Sequence, residues 1–492
     1  MSKNILTQVF SYGITTVLVR VFPFLLTFLL TRIYSPNQYS LFVEFYAFAG
    51  IFNAIITHGM ETGFFKFIVD KKYNKQEVYS TAFISILIIS ILFLILILSY
   101  TDSFLAYFKP NNKYYETFII WFVFILIFDA LSVIPFSNLR VEEKIFKFSV
   151  LKIISPVLYF FISILLVYLI PLGIKNNLPL FNYIIPYYNN QIGIGYVFIA
   201  NLISSFLTFI LLLPDIFKIS FKFSLFVWKK IFIYSLPIMI AGIGAIINET
   251  MDKIFLRYLL PNNIAEYQVG IYGACYKIST FMILFKQAYL LGIEPYFFKN
   301  AAKENAKQSY ASLMYFFVVI NCVMMLGLIT NIEIIKKIML AKQYWVGLDI
   351  VPLVLFGTLF LGIYLNLSVW YKVTNKTYYG ALLTLVGVII TIAINFIYIP
   401  IYGYWASAWA TLLSYFCMMV LSYIIGHKSY PIPYQLRKII IHIIISIVMS
   451  LISFYLFNQN LMIGNLILIM YIALIFIFDK NISLKNFKFN EN

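Results

Sequence analysis

Charged residues are scarce in this sequence. Asp, Glu, Lys and Arg make up 11% of its 492 residues, whereas soluble globular proteins average about 25%. No stretch is polar enough to form a separate water-soluble domain, and the mean hydropathy is +0.90. These shortages exclude most soluble enzymes and nucleic-acid-binding proteins, and they indicate a protein that crosses a membrane many times.

Cysteine and histidine are also rare, with three of each. Each cysteine lies inside an apolar run, so we expect neither a disulfide framework nor a zinc site. The histidines lack the spacing of metal ligands, and no glycine-rich loop ends in Lys-Ser or Lys-Thr. The sequence therefore predicts a non-enzyme that needs no bound cofactor and does not use ATP directly, with proton or sodium coupling left open.

Apolar runs of about 20 residues, the length that spans a bilayer, recur along the whole chain. They predict an all-α, polytopic membrane protein with about fourteen transmembrane helices. The predicted spans are 9–31, 39–60, 79–100, 117–138, 147–170, 193–213, 230–250, 268–292, 310–330, 349–370, 379–399, 404–425, 438–457 and 461–478.

The net charge of +17 is distributed unevenly between the two sides of the predicted membrane. Most Lys and Arg residues of the connecting segments fall on one side when the N-terminus is placed in the cytoplasm. Because basic loops resist translocation, we expect both termini to be cytoplasmic. The longest segment on the other side, residues 171–191, is too short for a catalytic domain.

The chain contains an internal duplication. Residues 59–66 and 292–299 both read Gly-x-Glu-x-x-Phe-Phe-Lys, and the basic segments 140–144 and 372–376 repeat at nearly the same offset. Each repeat holds six spans, so the two repeats are predicted to be parallel bundles related by an axis along the membrane normal. Such a build is typical of transporters whose two bundles rock about a central cavity.

The duplication also predicts the domain organisation. We assign residues 1–228 to an N-terminal six-helix bundle, 229–428 to a C-terminal six-helix bundle, and 429–492 to two additional helices and a cytoplasmic tail. The loop around residues 171–191 has no counterpart in the second repeat.

Three basic residues lie deep within predicted spans, namely Arg20 in the first and Lys277 and Lys286 in the eighth. A charge near the bilayer centre costs about 2.5–3.5 kcal/mol on insertion scales, so it usually faces a cavity or a partner. We expect these three residues to bind substrate. The alternative for Arg20 is an ion pair with Asp129 or Glu44, and for Lys286 it is an anchor at the cytoplasmic interface.

Acidic residues supply candidates for ion coupling. Asp129 precedes Pro135 in the fourth span, where it would accept a proton or balance the charge of Arg20. Glu44, near the outer end of the second span, is the second candidate, with a merely interfacial position as its alternative. Residues 249–257 have the i, i+4 spacing of a local ion-pair ladder.

Glu61 and Glu294 occupy equivalent positions in the two repeats, each shortly before a Phe-Phe-Lys sequence that ends in Lys66 or Lys299. All four residues fall at predicted cytoplasmic helix ends. We therefore expect them to hold helix ends or to act in gating rather than to bind substrate.

The basic charge at depth indicates an anionic substrate. A lipid-linked oligosaccharide carries a diphosphate and many hydroxyl groups, each costing on the order of a few kcal/mol to bury without a partner. Its lipid tail remains in the bilayer at no such cost. A cationic passage open to the lipid would serve both parts of the molecule.

Four sets of residues resemble one family: segments 13–20, 30–36 and 403–411, and the two Gly-x-Glu-x-x-Phe-Phe-Lys endings. They are similar to the polysaccharide-biosynthesis flippases of the multidrug/oligosaccharidyl-lipid/polysaccharide exporter superfamily. The resemblance implies translocation of an undecaprenyl-diphosphate-linked glycan, such as an O-antigen, capsule or exopolysaccharide unit, across the bacterial inner membrane by alternating access. It also implies a basic cavity between helices one and eight, where Arg20 and Lys277 match by position, and it suggests polysaccharide polymerase and glycosyltransferases as partners.

Two other functions are kept open. A cation-coupled multidrug exporter of the same superfamily would need an acidic cavity, for which Asp129 and Glu44 are available. A polytopic glycan polymerase or glycosyltransferase would use Asp102 or Glu116 as catalytic groups. The basic balance at depth argues against the first function, and the short loops argue against the second.

Overall fold

The computed structural model describes residues 3–108, 114–179, 183–301 and 303–478. Within these ranges the chain forms helices and no β-strand. The all-α, polytopic membrane class predicted from the sequence is confirmed.

Fourteen long helices occur in the described ranges, and each one overlaps a predicted span. They are α1 (Lys3–Ile33), α2 (Pro36–Ile68), α3 (Lys75–Ser99), α4 (Tyr115–Val141), α5 (Ile145–Lys175), α6 (Gly195–Ile216), α7 (Leu225–Leu259), α8 (262–300), α9 (Ala306–Thr330), α10 (Lys342–Val373), α11 (Tyr378–Tyr402), α12 (Tyr404–Ser429), α13 (Leu436–Leu456) and α14 (Leu461–Phe478).

Eleven helices in the described part of the chain, α2 to α7 and α9 to α13, are long and apolar enough to cross a membrane. Large apolar side chains also remain exposed on outward surfaces, for example Met462, Leu466 and Phe476 of α14. In water such a surface would be unfavourable, whereas a lipid-facing helix is expected to be apolar on all sides.

The contacts divide the chain into two units, of which the first contains residues 1–273 and 380–407. Inside this unit α1 packs against α5, α4 against α6, and α7 against α2. The aromatic rings of Phe45, Phe118 and Phe198 meet at centroid distances of 4.9–5.7 Å and join α2, α4 and α6. This core fixes the helices that carry most of the polar residues described below.

The second unit contains residues 274–379 and 408–492. Its centre is α9, which packs against α10, α13 and α14. His442 of α13 lies between two tyrosines, with Nε2 3.0 Å from the Tyr315 hydroxyl and Nδ1 3.4 Å from that of Tyr471. The predicted domain boundaries 1–228, 229–428 and 429–492 remain a prediction.

Helix α2 has a defined start and an internal break. At its start, the Gln38 backbone N–H donates to Ser35 Oγ (3.4 Å) and the Ser35 N–H donates to Gln38 Oε1 (3.1 Å), which is a capping box. His58 and Gly59 adopt left-handed conformations, with φ of 35° and 71°, and divide α2 into Pro36–Thr57 and Met60–Ile68. A side chain at Gly59 would lie 2.9 Å from the carbonyl oxygen of Ser235, so glycine permits the close approach of α7.

Candidate functional site

Arg20 lies midway along α1 with an exposed side chain. Its guanidinium interacts electrostatically with Glu249 of α7. The two partners that the sequence allowed, Asp129 and Glu44, interact with other cations. A substrate-binding role for Arg20 stays a prediction.

Lys277 and Lys286 lie on α8, at the start of a discontinuity and after it, respectively. This helix consists of Asn262–Tyr276, a single 3₁₀ turn at Lys277–Ser279, and Thr280–Asn300. Lys277 is half-buried at the start of the turn, and Lys286 is buried with 8% exposure. Interrupted membrane helices are typical of substrate and ion sites. The turn itself contains no glycine or proline, so the sequence did not predict the break.

Asp129 is exposed on α4 and interacts with the Ser205 hydroxyl of α6 and with the charge of Lys152 on α5. The Lys152 amine also lies 4.5 Å from the ring centroid of Phe136. The sequence predicted a basic counter-charge for Asp129 but placed it on α1, whereas the structure supplies it from α5.

A chain of polar side chains inside the first unit was not found from the sequence. The Tyr46 and Tyr159 hydroxyls are 3.0 Å apart, and the Asn201 amide donates to the Tyr46 hydroxyl over 2.6 Å. The charge of Asp129 acts on the same Tyr46. Because hydroxyl groups both donate and accept, such a chain has the chemistry needed to pass a proton. Its members lie on three helices far apart in sequence, which leaves no local pattern.

Glu44 forms the centre of a buried cluster in the first unit. The Tyr258 hydroxyl donates to Glu44 Oε1 over 2.8 Å and the Tyr115 hydroxyl over 3.3 Å. Arg257 Nε lies 3.4 Å from Glu44 Oε2, and Arg257 Nη2 lies 3.4 Å from Glu266 Oε1. Glu44 and Arg257 are only 3% and 5% exposed.

The contacts of residues 249–257 are only partly the local ladder expected there. The Lys253 amine donates to the backbone carbonyl of Glu249 over 2.8 Å and pairs with Asp252 at 2.8 Å, whereas Arg257 reaches across to α2 and α8. Burial of a polar group is costly unless it has partners, and the helix interface supplies three for the Glu44 carboxylate. A role of Glu44 in ion coupling stays a prediction.

The two repeats place an equivalent ion pair at corresponding helix ends. In the first unit Glu61 Oε1 lies 3.5 Å from Arg140 Nη1 and accepts a hydrogen bond from Ser137 (3.2 Å). In the second unit Glu294 pairs with Lys372. The sequence identified the Gly-x-Glu-x-x-Phe-Phe-Lys and basic motifs separately, whereas the structure brings them together within each unit.

The structure describes the side chain of only one of the two lysines that end the Phe-Phe-Lys sequences. The Lys66 amine lies 3.7 Å from the ring centroid of Tyr234, a cation–π contact with α7. The Lys299 side chain lies outside the described part of the structure. Gating or helix-end roles for Glu61, Lys66, Glu294 and Lys299 stay predictions.

The basic segment after α4 has a further local contact. Burial alone would raise the pKa of the Glu142 carboxyl, but hydrogen bonds from Lys144 and Asn138 hold that pKa below its usual value. Glu142 therefore stays ionised at neutral pH and balances part of the positive charge at this end of α4.

Comparison with known proteins identifies the family. Residues 5–285, more than half of the chain, match the family described as "Polysaccharide biosynthesis protein". The chain belongs to this family. No curated protein matches the sequence.

Solved structures of transporters share the fold. A lipid II flippase, MurJ in an inward closed conformation, is similar with a TM-score of 0.73 and 17% identity over 96% of this chain and 99% of the other. An inward-facing multidrug resistance MATE transporter of the MOP superfamily gives 0.65 and 13% over 84% and 94%. The MATE multidrug transporter DinF-BH gives 0.58 and 14% over 86% and 96%. This member of the family therefore shares the fold of these solved structures.

Proposed function

We propose that this protein translocates lipid-diphosphate-linked oligosaccharide from the cytoplasmic to the periplasmic leaflet of a bacterial inner membrane by alternating access. The observation that carries the proposal is the set of basic residues retained at membrane depth, Arg20, Lys277 and Lys286, in a chain of the polysaccharide biosynthesis family. The substrate would come from membrane glycosyltransferases and pass to a polysaccharide polymerase.

The proposed substrate accounts for the unusual cost of these cations. Each charge opposes membrane insertion by about 2.5–3.5 kcal/mol, so a compensating function is expected. A diphosphate offers several oxygen acceptors to Arg and Lys donors, and charge-assisted hydrogen bonds of this kind are the strong ones. Lys277 also begins the 3₁₀ turn that interrupts α8, and such turns within a helix often mark functional hinges.

The first test replaces Arg20. We expect Arg20→Ala to weaken substrate binding roughly tenfold to hundredfold, because a hydrogen bond to a charged group contributes about 1.5–3 kcal/mol. Arg20→Lys should retain part of the function. Surface polysaccharide of cells carrying each variant measures export, and Lys229→Ala, at an exposed position on α7, is the control. Normal polysaccharide with Arg20→Ala at wild-type protein levels would remove Arg20 from the site.

We further propose that a proton or sodium gradient drives transport through Asp129. Its exposed carboxylate faces Ser205 and Lys152 and adjoins the Tyr46 hydroxyl chain. Asp129→Asn should abolish the gain in rate that an imposed gradient produces in proteoliposomes and leave the rate without a gradient unchanged. Glu116→Gln, an exposed acid in the first turn of the same helix, is the control. Equal losses with and without a gradient would indicate a structural role.

A cation-coupled multidrug exporter is the second candidate function, favoured by the exposed Asp129 carboxylate on a fold shared with MATE transporters. Cells that lack the chain distinguish the two functions. The flippase predicts loss of surface glycan with unchanged drug susceptibility. The exporter predicts increased susceptibility to cationic drugs with normal glycan.

A further inference from the structure

Side-chain contacts hold the last residues of the loop 171–191, which is present only in the first repeat. The Asn189 amide donates to the Tyr114 hydroxyl over 2.7 Å, and that hydroxyl donates to Gln191 Oε1 over 3.3 Å. Tyr188 stacks on Tyr196 with ring centroids 4.5 Å apart and an interplanar angle of 5°. These contacts tie the end of the loop to Tyr114, immediately before α4, and to Tyr196 in the first turn of α6.

The tied loop forms one wall of a cavity of about 370 Å³ in the first unit. The first turns of α2 also line it, and the Glu44–Arg257–Glu266 cluster lines its most buried part, here called the floor. Exposed amide side chains make up the rim, namely Asn37, Gln38, Asn190 and Gln191. Cavities of a few hundred Å³ with several convergent polar groups are typical ligand sites.

The chemistry of the lining favours hydroxyl groups over phosphate. Carboxylates accept hydrogen bonds, amides both donate and accept, and a sugar ring presents hydroxyls that do the same. The single cation of the floor, Arg257, already contacts Glu44 and Glu266. With two carboxylates to one guanidinium, the floor would repel a diphosphate.

We propose that this cavity is a glycan subsite, which binds a sugar ring of the lipid-linked oligosaccharide through its hydroxyl groups. The inference rests on the proposed function and adds a second substrate-binding site to the basic residues of α1 and α8. The cavity lies at the helix ends predicted to face the periplasm, where α1 ends and α2 begins, so it receives the sugars on the exit side. It also gives a function to the loop that distinguishes the two repeats.

Binding to the purified full-length protein in nanodiscs tests the subsite. The probes are lipid-linked oligosaccharide extracted from membranes of cells that make it, and sugar-free undecaprenyl diphosphate. The variant is Asn37→Ala/Asn190→Ala, which removes two rim amides and leaves the ties of Asn189 and Gln191 in place. Asn176→Ala, an exposed amide of the same loop outside the cavity, is the matched control.

We expect the wild type and Asn176→Ala to bind the glycan-bearing lipid more tightly than the sugar-free lipid. The double variant should bind the glycan-bearing lipid about tenfold more weakly, since two hydrogen bonds are lost, with unchanged binding of undecaprenyl diphosphate. Equal affinity of the double variant and the wild type for the glycan-bearing lipid would overturn the subsite and leave the proposed function intact. An equal loss for both lipids would also overturn it. Failure of the wild type to bind either lipid would contradict the proposed function itself.

Discussion

Burial distinguishes two kinds of ion pair among the residues of this protein. Glu44 and Arg257 are almost fully buried, whereas the side chains of Glu61 and Arg140 are 48% and 44% exposed. Removing one partner of a buried pair leaves a charge without compensation, which costs about 3–5 kcal/mol. An exposed pair contributes about 0–1 kcal/mol because solvent screens it.

The residue-scale prediction compares these two pairs. Glu44→Ala should lower the free energy of unfolding by about 3–5 kcal/mol, and Glu61→Ala by no more than about 1 kcal/mol. Thermal unfolding of the purified protein in one detergent measures both. Glu44→Ala/Arg257→Met should recover part of the loss, since the Arg257 guanidinium is then no longer buried without Glu44. Similar Tm values for Glu44→Ala and Glu61→Ala would contradict this assignment.

Single residues were the part of the site least accessible from the sequence. The depth of Arg20 in the membrane could be predicted, because Arg20 lies near the middle of an apolar run and about 20 residues span a bilayer. The pairing of Glu44 with Arg257 did not, because side chains from α2 and α7 meet only after the helices pack. The i, i+4 spacing within residues 249–257 favoured a local ladder, so the sequence did not predict the contact between Arg257 and Glu44.

At the scale of elements, the helices were predictable because each needs a long apolar run in a bilayer. The ends of the helices were less predictable. Helix α7 was predicted over 230–250 and extends over Leu225–Leu259, because its polar terminal turns lie outside the apolar run. The break of α2 at His58 and Gly59 arises from backbone conformation and from the approach of α7. The break in α8 could not be predicted, because the turn itself contains no Gly or Pro.

Close packing of α2 against α7 predicts different outcomes for two glycines. A Cβ on Gly63 would lie 2.6 Å from Cγ2 of Ile231 and would also meet Ser235, whereas Gly292 has open space. Gly63→Ala should therefore destabilise by about 1–3 kcal/mol through overpacking. Gly292→Ala, in a helix, should be neutral or stabilising by up to about 1 kcal/mol. Unfolding midpoints give the comparison, and equal effects would refute the packing argument.

The ion pair between Glu61 and Arg140 joins the end of α2 to the end of α4, and Glu294 with Lys372 does the same for α8 and α10. We predict that Arg140→Glu lowers export, because two carboxylates then repel at this junction. The exchange Glu61→Arg/Arg140→Glu should restore it. Surface glycan in cells matched for protein level is the measurement. No rescue by the exchange would show that Arg140 acts through something other than this pair.

At the scale of the whole molecule, the sequence predicted an all-α polytopic membrane protein of the polysaccharide-biosynthesis family, and the shared fold and the family match confirm both. The shared fold does not identify the substrate. Solved structures of similar fold below 25% identity include both a lipid II flippase and multidrug transporters, and fold alone does not define cargo. The basic residues of α1 and α8 are therefore the features that favour a lipid-linked glycan.

Reconstituted translocation tests that argument most directly. Purified protein is placed in liposomes that contain extracted lipid-linked oligosaccharide, and the fraction of glycan open to a membrane-impermeant glycosidase is followed with time. We predict that wild-type protein exposes the inner-leaflet pool, that Arg20→Ala/Lys277→Ala does so at least about tenfold more slowly, and that protein-free liposomes leave it protected. Wild-type protein that exposes the glycan no faster than protein-free liposomes would contradict the account.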